Sequence, residues 1–361
     1  MTRGSALRDF VTAAIRAVDL ALLFGLAACG ASTHAAPPPT APPARALPPL
    51  PELVELLPSG AETLLGLRPN LLFSSPATHP VAEILLPDAR RDAIERRTGV
   101  RVADLTELVV ADYGEQGFIA VAAGVNRAPE VVVAIASGMN TIEASTDEPF
   151  VRRVGYLGTQ RREVAALDAT TLLFAGDSGP HVAALLERAS LGQWPEGSAS
   201  VLAQDGLTPL MDQLGDAPLR VFVPHHIDLP LDTGPGMLLS RQTGVGFAIV
   251  PAGADELQVR ILVHGELPPG AHENFHQWVL SVAQSALGAI VGISEGLQTL
   301  RLETEARSAL VTERLPTQGL VRGLSLLLTD RVGEALDVVF SDAPPLRHPV
   351  PSAGEDAPKA R

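Results

Sequence analysis

From residue 52 onward, short apolar runs alternate with turns rich in glycine and proline, and a few longer stretches carry helical periodicity. The pattern predicts strand-like runs at 62–67, 108–111, 118–122 and 130–136, and a helix over 79–98 bearing Arg and Glu pairs. A short helix is expected over 148–154, a hairpin from 164–167 and 171–174, and a helix over 180–189. Further along, a strand at 219–222 precedes a hairpin of 246–250 with 257–263, turning on Pro251-Ala252-Gly253. A long helix over 271–293, strands at 297–306 and 308–314, and helical stretches at 319–327 and 330–336 complete the pattern.

Antiparallel hairpins alternating with helices indicate an α+β fold. The order of elements predicts two similar halves, residues 52–192 and 193–341, each with antiparallel strands and helices packed on one face. The strand–strand–helix modules at 164–189 and 297–328 match most clearly. In Arg301-Leu302-Glu303-Thr304-Glu305-Ala306-Arg307 charge falls on every second residue, so one face of that strand is solvated and resists edge-to-edge pairing.

The N-terminus follows a different pattern. Arg3, Arg8 and Arg16 precede an apolar run over 20–28, shorter than the roughly 20 residues a bilayer span needs. Leu26-Ala27-Ala28-Cys29 resembles the lipobox of bacterial lipoprotein precursors, and Cys29 is the chain's only cysteine. The resemblance implies a signal peptide over 1–28 and lipid on Cys29, so that the membrane is the partner. Gly30, in place of an inner-membrane retention aspartate, implies the outer membrane, with the body periplasmic or at the cell surface. The alternative for 8–28, which holds Asp9 and Asp19, is a helix with a buried cysteine. Residues 29–51 are proline-rich and read as a semi-stiff tether, and 342–361 as a disordered tail. The body resembles uncharacterised exported bacterial proteins of duplicated α+β build, a resemblance that brings no activity with it.

Composition narrows the chemistry. The 361 residues carry a net charge of −14 with no basic block, which disfavours nucleic acid as a partner. With Cys29 committed to lipid, thiol catalysis, disulfides and Cys-ligated metals drop out of the folded body. Aromatics are only 4% of the chain, so the core is built from Leu, Val, Ala and Ile.

Several motifs point at chemistry. His272-Glu273-Asn274-Phe275-His276 is an H-E-x-x-H string; His272 and His276 one turn apart, with Glu295 as third ligand and Glu273 as base, would make a zinc hydrolase. Against this, Pro268-Pro269-Gly270 stops any preceding helix, and the polar Asn274 stands where such helices carry an apolar residue. Gly176-Asp177-Ser178-Gly179-Pro180 resembles a trypsin-like serine segment with one glycine missing, and reads as a helix start capped by Ser178 or Asp177. Gly244-Val245-Gly246 leads into a strand, and His225-His226 before Asp228 and Asp232 reads as a solvated loop. No cofactor and no catalytic residue is assigned. The expectation is a non-enzymatic binding, assembly or structural role at the cell envelope. The alternatives are the zinc hydrolase and a small-molecule or lipid carrier with a deep apolar cavity between the halves.

Overall fold

The computed structural model describes residues 49–145, 149–226, 241–267, scattered positions from 270 to 284, 296–322 and 325. Among these residues twelve strands form one sheet: β1 (Thr63–Leu67), β2 (Glu107–Asp112), β3 (Phe118–Ala123), β4 (Asn140–Ser145), β5 (Val151–Leu157), β6 (Gln160–Ala166), β7 (Thr171–Gly176), β8 (Leu219–Val223), β9 (Gln242–Pro251), β10 (Glu256–Gly265), β11 (Arg301–Glu305) and β12 (Ser308–Pro316). Their order is β11-β12-β10-β9-β8-β1-β2-β3-β7-β6-β5-β4, and every neighbouring pair is antiparallel.

The central strands are buried on both faces. Register aligns Leu65, Val110, Ala120, Phe174 and Val164 across five strands, and all five lie in one apolar core. The next residues, Leu64, Ala111, Ile119 and Ala175, align on the opposite face in a second core. Helices close the first core: α1 (Pro69–Ser74) through Leu72, α2 (His79–Leu85) through Val81 and Ala82, and α4 (Ala128–Ala136) through Val131, Val132 and Ile135. The charged α3 (Asp88–Thr98) adds Ile94 beside Leu86. The second core is closed by α5 (Gly179–Leu191) through Val182, Leu185 and Ala189, and by α6 (Leu207–Leu214) through Leu207, Leu210 and Leu214.

This corrects the expectation of two similar halves with helices on one face of each. There is one continuous sheet, sandwiched between helices on both sides. β1 pairs with both β2 and β8, so the ladder runs unbroken across the boundary expected at 192/193. Gln204 ties the same junction: its Oε1 accepts from the amides of Gly60 and Ala61, each at 3.1 Å, and its Nε2 donates to the Ala61 carbonyl. The two modules that matched in sequence also part company. α5 follows β7 onto one face, whereas the helix that follows β12 places Leu320 against Leu315 and Leu257 on the other.

Individual elements differ for local reasons. The helix expected over 79–98 is two helices, because Pro87 interrupts the first and its carbonyl accepts from the amide of Arg90 at the start of the second. The run at 130–136 is helical: Ala128, Val131, Val132 and Ile135 bury on one face at spacings of three and four, while Val133 is 53% exposed. Where a helix was expected over 148–154, β5 pairs with β6, and Arg152 Nε donates to Glu163 Oε1 at 2.6 Å across the pair. Of the long helix expected over 271–293, His272, Glu273, His276 and Gln277 are helical, and residues 285–293 lie outside the described residues. So do 1–48, with the export segment and most of the tether, and the stretches 330–336 and 342–361. Among the described residues no helix is long and apolar enough to cross a membrane.

Candidate functional sites

Ser178 is buried, and its Oγ lies 2.9 Å from both the Phe118 and the Gly176 carbonyl oxygens. It ties β3 to the end of β7 and makes no capping bond, contrary to the expected helix cap. Asp177 holds a left-handed φ of 55°, with its carboxylate 4.0 Å from Arg162. His181 stacks on Tyr113 with ring centroids 4.1 Å apart and brings Nε2 within 2.8 Å of Gln116 Oε1; burial holds its pKa below the usual value. These contacts make the segment a strand-to-helix joint, with its hydroxyl turned away from solvent.

In the H-E-x-x-H string, His272, Glu273 and His276 are all exposed, and His272 Nδ1 lies 3.0 Å from Thr304 Oγ1 on β11. Glu295 lies outside the described residues, as does Cys29. Among the described residues no group of three or more His, Cys, Asp or Glu side chains could hold a metal ion. His225 Nδ1 meets the His226 carbonyl at 2.7 Å, and His226 Nδ1 meets that of Gln242 at 3.1 Å; Asp228 and Asp232 lie outside the described residues. Gly244 and Gly246 lie within β9, where a Cβ would run into Leu210 and Leu214 of α6. Their service is to let that helix sit close on the sheet.

Two hollows remain. One is an apolar cavity of about 70 Å³ walled by Leu72, Phe73, Leu86, Ile94, Leu105 and Leu108. It lies beneath α1 to α3 with its lining confined to residues 67–122, inside the first expected half, whereas the carrier alternative called for a cavity between the halves. Its volume is far below the ~300–1,000 Å³ of ordinary ligand sites.

The other is a polar groove of about 500 Å³ on the face of the sheet that α5 and α6 cover elsewhere. Register builds its floor. Arg260, Thr312 and Arg301 align across β10, β12 and β11, and Gln258 and Arg314 form the adjacent row. Leu262, Leu310 and Glu303 align on the other side. Neighbouring strands lie ~4.8 Å apart and same-face residues along a strand ~6.8 Å apart, so the three arginines form a triangle with sides of about 8–10 Å between their backbones. Arg260 is held in place: Nε and Nη2 donate to Gln258 Oε1 at 3.0 and 2.8 Å, and Nη1 donates to the Leu214 carbonyl at the end of α6 at 2.9 Å. Arg301 and Arg314 are exposed. Among the described residues none of the three makes an ion pair.

No family model, curated protein or solved structure matches the chain. The groove therefore has to be read from its own chemistry. The alternating charges of β11 were visible in sequence and read as a solvated face, and Arg301, Glu303 and Glu305 are indeed exposed. Arg260 and Arg314 carried no such signal, because only the strand order brings them beside Arg301.

The reverse side of β12 holds a different feature. Glu313 is buried, opposite Val259 on β10 and beside Val311 and Leu315 in side-chain phase. Its Oε1 has no hydrogen-bond partner among the described residues, and a Cβ added to Gly296 would sit 2.5 Å from it. Burial pushes the carboxyl up to about 7.

Proposed function

We propose that the chain is a lipid-anchored protein of the bacterial cell envelope whose role is to bind or assemble with envelope components, without catalysing a reaction. The observation that carries the reading is the place of Cys29. The chain's single cysteine falls directly after a short apolar run with upstream arginines, and a proline-rich stretch separates it from the folded body. Lipid on that residue gives an acidic body an attachment that its net charge of −14 does not provide through anionic headgroups. Gly30 favours the outer membrane. The body supports a binding role by its build: a sheet covered by helices on both faces, with a polar groove of about 500 Å³ among the described residues.

The test is metabolic labelling with radioactive palmitate in cells expressing the full chain, with and without globomycin. The reading expects label on the wild type, none on Cys29→Ser, and an unprocessed precursor under globomycin. An unlabelled wild type would overturn it.

A further inference from the structure

We propose that the polar groove on β10, β12 and β11 binds an anionic saccharide, with Arg260, Arg301 and Arg314 engaging its carboxylate or phosphate groups. This deepens the binding role proposed above and rests on it.

The argument starts from charge. In a chain of net charge −14, the groove gathers three arginines against one carboxylate, Glu303. A cationic hollow on an acidic molecule concentrates anions at that spot and repels them elsewhere. Guanidinium forks match the paired oxygens of carboxylate and phosphate, and Arg260 is fixed in its orientation before any ligand arrives. Three cations spread over a triangle suit a ligand that carries more than one anionic group.

The rest of the lining selects among polyanions. Beside the arginines the described lining holds amides and hydroxyls, among them Gln213, Gln258 and Thr312, and no aromatic ring. Gln258, which also lines the groove, commits its Oε1 to Arg260, so its amide nitrogen is the group left to donate. Donors and acceptors of this kind satisfy a hydroxylated ligand. A single-stranded nucleic acid would want aromatic platforms for its bases, and the described lining has none. An acidic peptide would want apolar pockets for alternate side chains, whereas this floor is a sheet face lined mainly by polar groups. The volume of about 500 Å³ holds a short stretch of chain, and the groove borders the edge strand β11, so a longer polymer can run past it.

The experiment is isothermal titration of the full-length protein in detergent with four probes: oligogalacturonate, a phosphorylated mannose oligosaccharide, neutral maltohexaose and poly-glutamate. Binding of oligogalacturonate or the phosphorylated sugar is expected, and which one binds tells carboxylate from phosphate. Arg301→Gln and Arg314→Gln, both on the exposed surface, should each weaken binding about tenfold. Arg96→Gln, an equal loss of charge on the exposed side of α3, should leave it unchanged. Rising salt should weaken binding. The proposal is overturned if neither anionic sugar binds, if maltohexaose binds as well, if poly-glutamate binds equally, or if Arg96→Gln matches the groove variants. These readouts do not involve lipidation, so this proposal and the lipoprotein reading can each fail alone.

Discussion

Replacing Glu313 with glutamine should remove a pH-dependent penalty from the folded state. The carboxyl is buried on β12 beside Gly296 with one oxygen that has no hydrogen-bond partner among the described residues, and its pKa is raised from 4.5 to about 7. In the folded chain it therefore keeps its proton over a range in which the unfolded chain has lost it. That extra proton stabilises the fold at low pH, and the contribution is lost as pH rises from 4.5 through about 7. Each pH unit within that window is worth about 1.4 kcal/mol, giving roughly 3 kcal/mol in all. Between pH 5.5 and pH 8, a range that stays above the isoelectric point near 5.1, the wild type should lose about 2 kcal/mol relative to Glu313→Gln. Glutamine has the same shape and no charge, so all other titrating groups cancel in the comparison. Urea unfolding of both proteins at several pH values reads the difference directly. A gap that stays constant with pH, or one that widens in favour of the wild type as pH rises, would refute the reasoning.

Three further substitutions test the fold. Leu185→Ala on α5 removes a fully buried side chain from the second core and should cost about 2–5 kcal/mol in urea unfolding. Val133→Ala, on the exposed side of α4, should cost under 0.5 kcal/mol by the same assay. Gly117 holds a φ of 83°, and a Cβ there would strike the Gly176 carbonyl. Gly117→Ala should therefore destabilise by more than ~1 kcal/mol and lower the melting temperature, and an unchanged value would mean that the β3–β7 contact is looser than described.

How much of this was legible in the sequence depended on whether a segment sees water on one side or none. The hairpin of β9 and β10 was readable because Pro251-Ala252-Gly253 marks its turn, and β11 because its charges alternate. The central strands β2, β3 and β7 are buried on both faces, so they lack alternation and look like any short apolar run. That ambiguity made the Val-rich α4 look like a strand: Val131-Val132-Val133 has strand propensity, and burial at spacings of three and four overrides it. It also concealed the second layer of helices, since a strand buried on both sides gives no sign of where each cover comes from. The match between 164–189 and 297–328 was a match of element order alone. Order does not fix the face on which a following helix lands, and the two helices land on opposite faces. The groove was hidden for a related reason. Its three arginines lie on three strands, and only the pairing of β12 with both β10 and β11 makes them neighbours.

The central claim is that the mature protein begins at Cys29 and is held to a membrane by lipid on that residue. Intact-mass and N-terminal peptide mass spectrometry of the protein purified from cell membranes tests it most directly. The account predicts a chain that starts at Cys29, with residues 1–28 absent and the mass of acyl chains on the first residue. A membrane-purified chain that retains Met1, or an unmodified Cys29 inside a longer peptide, would contradict it.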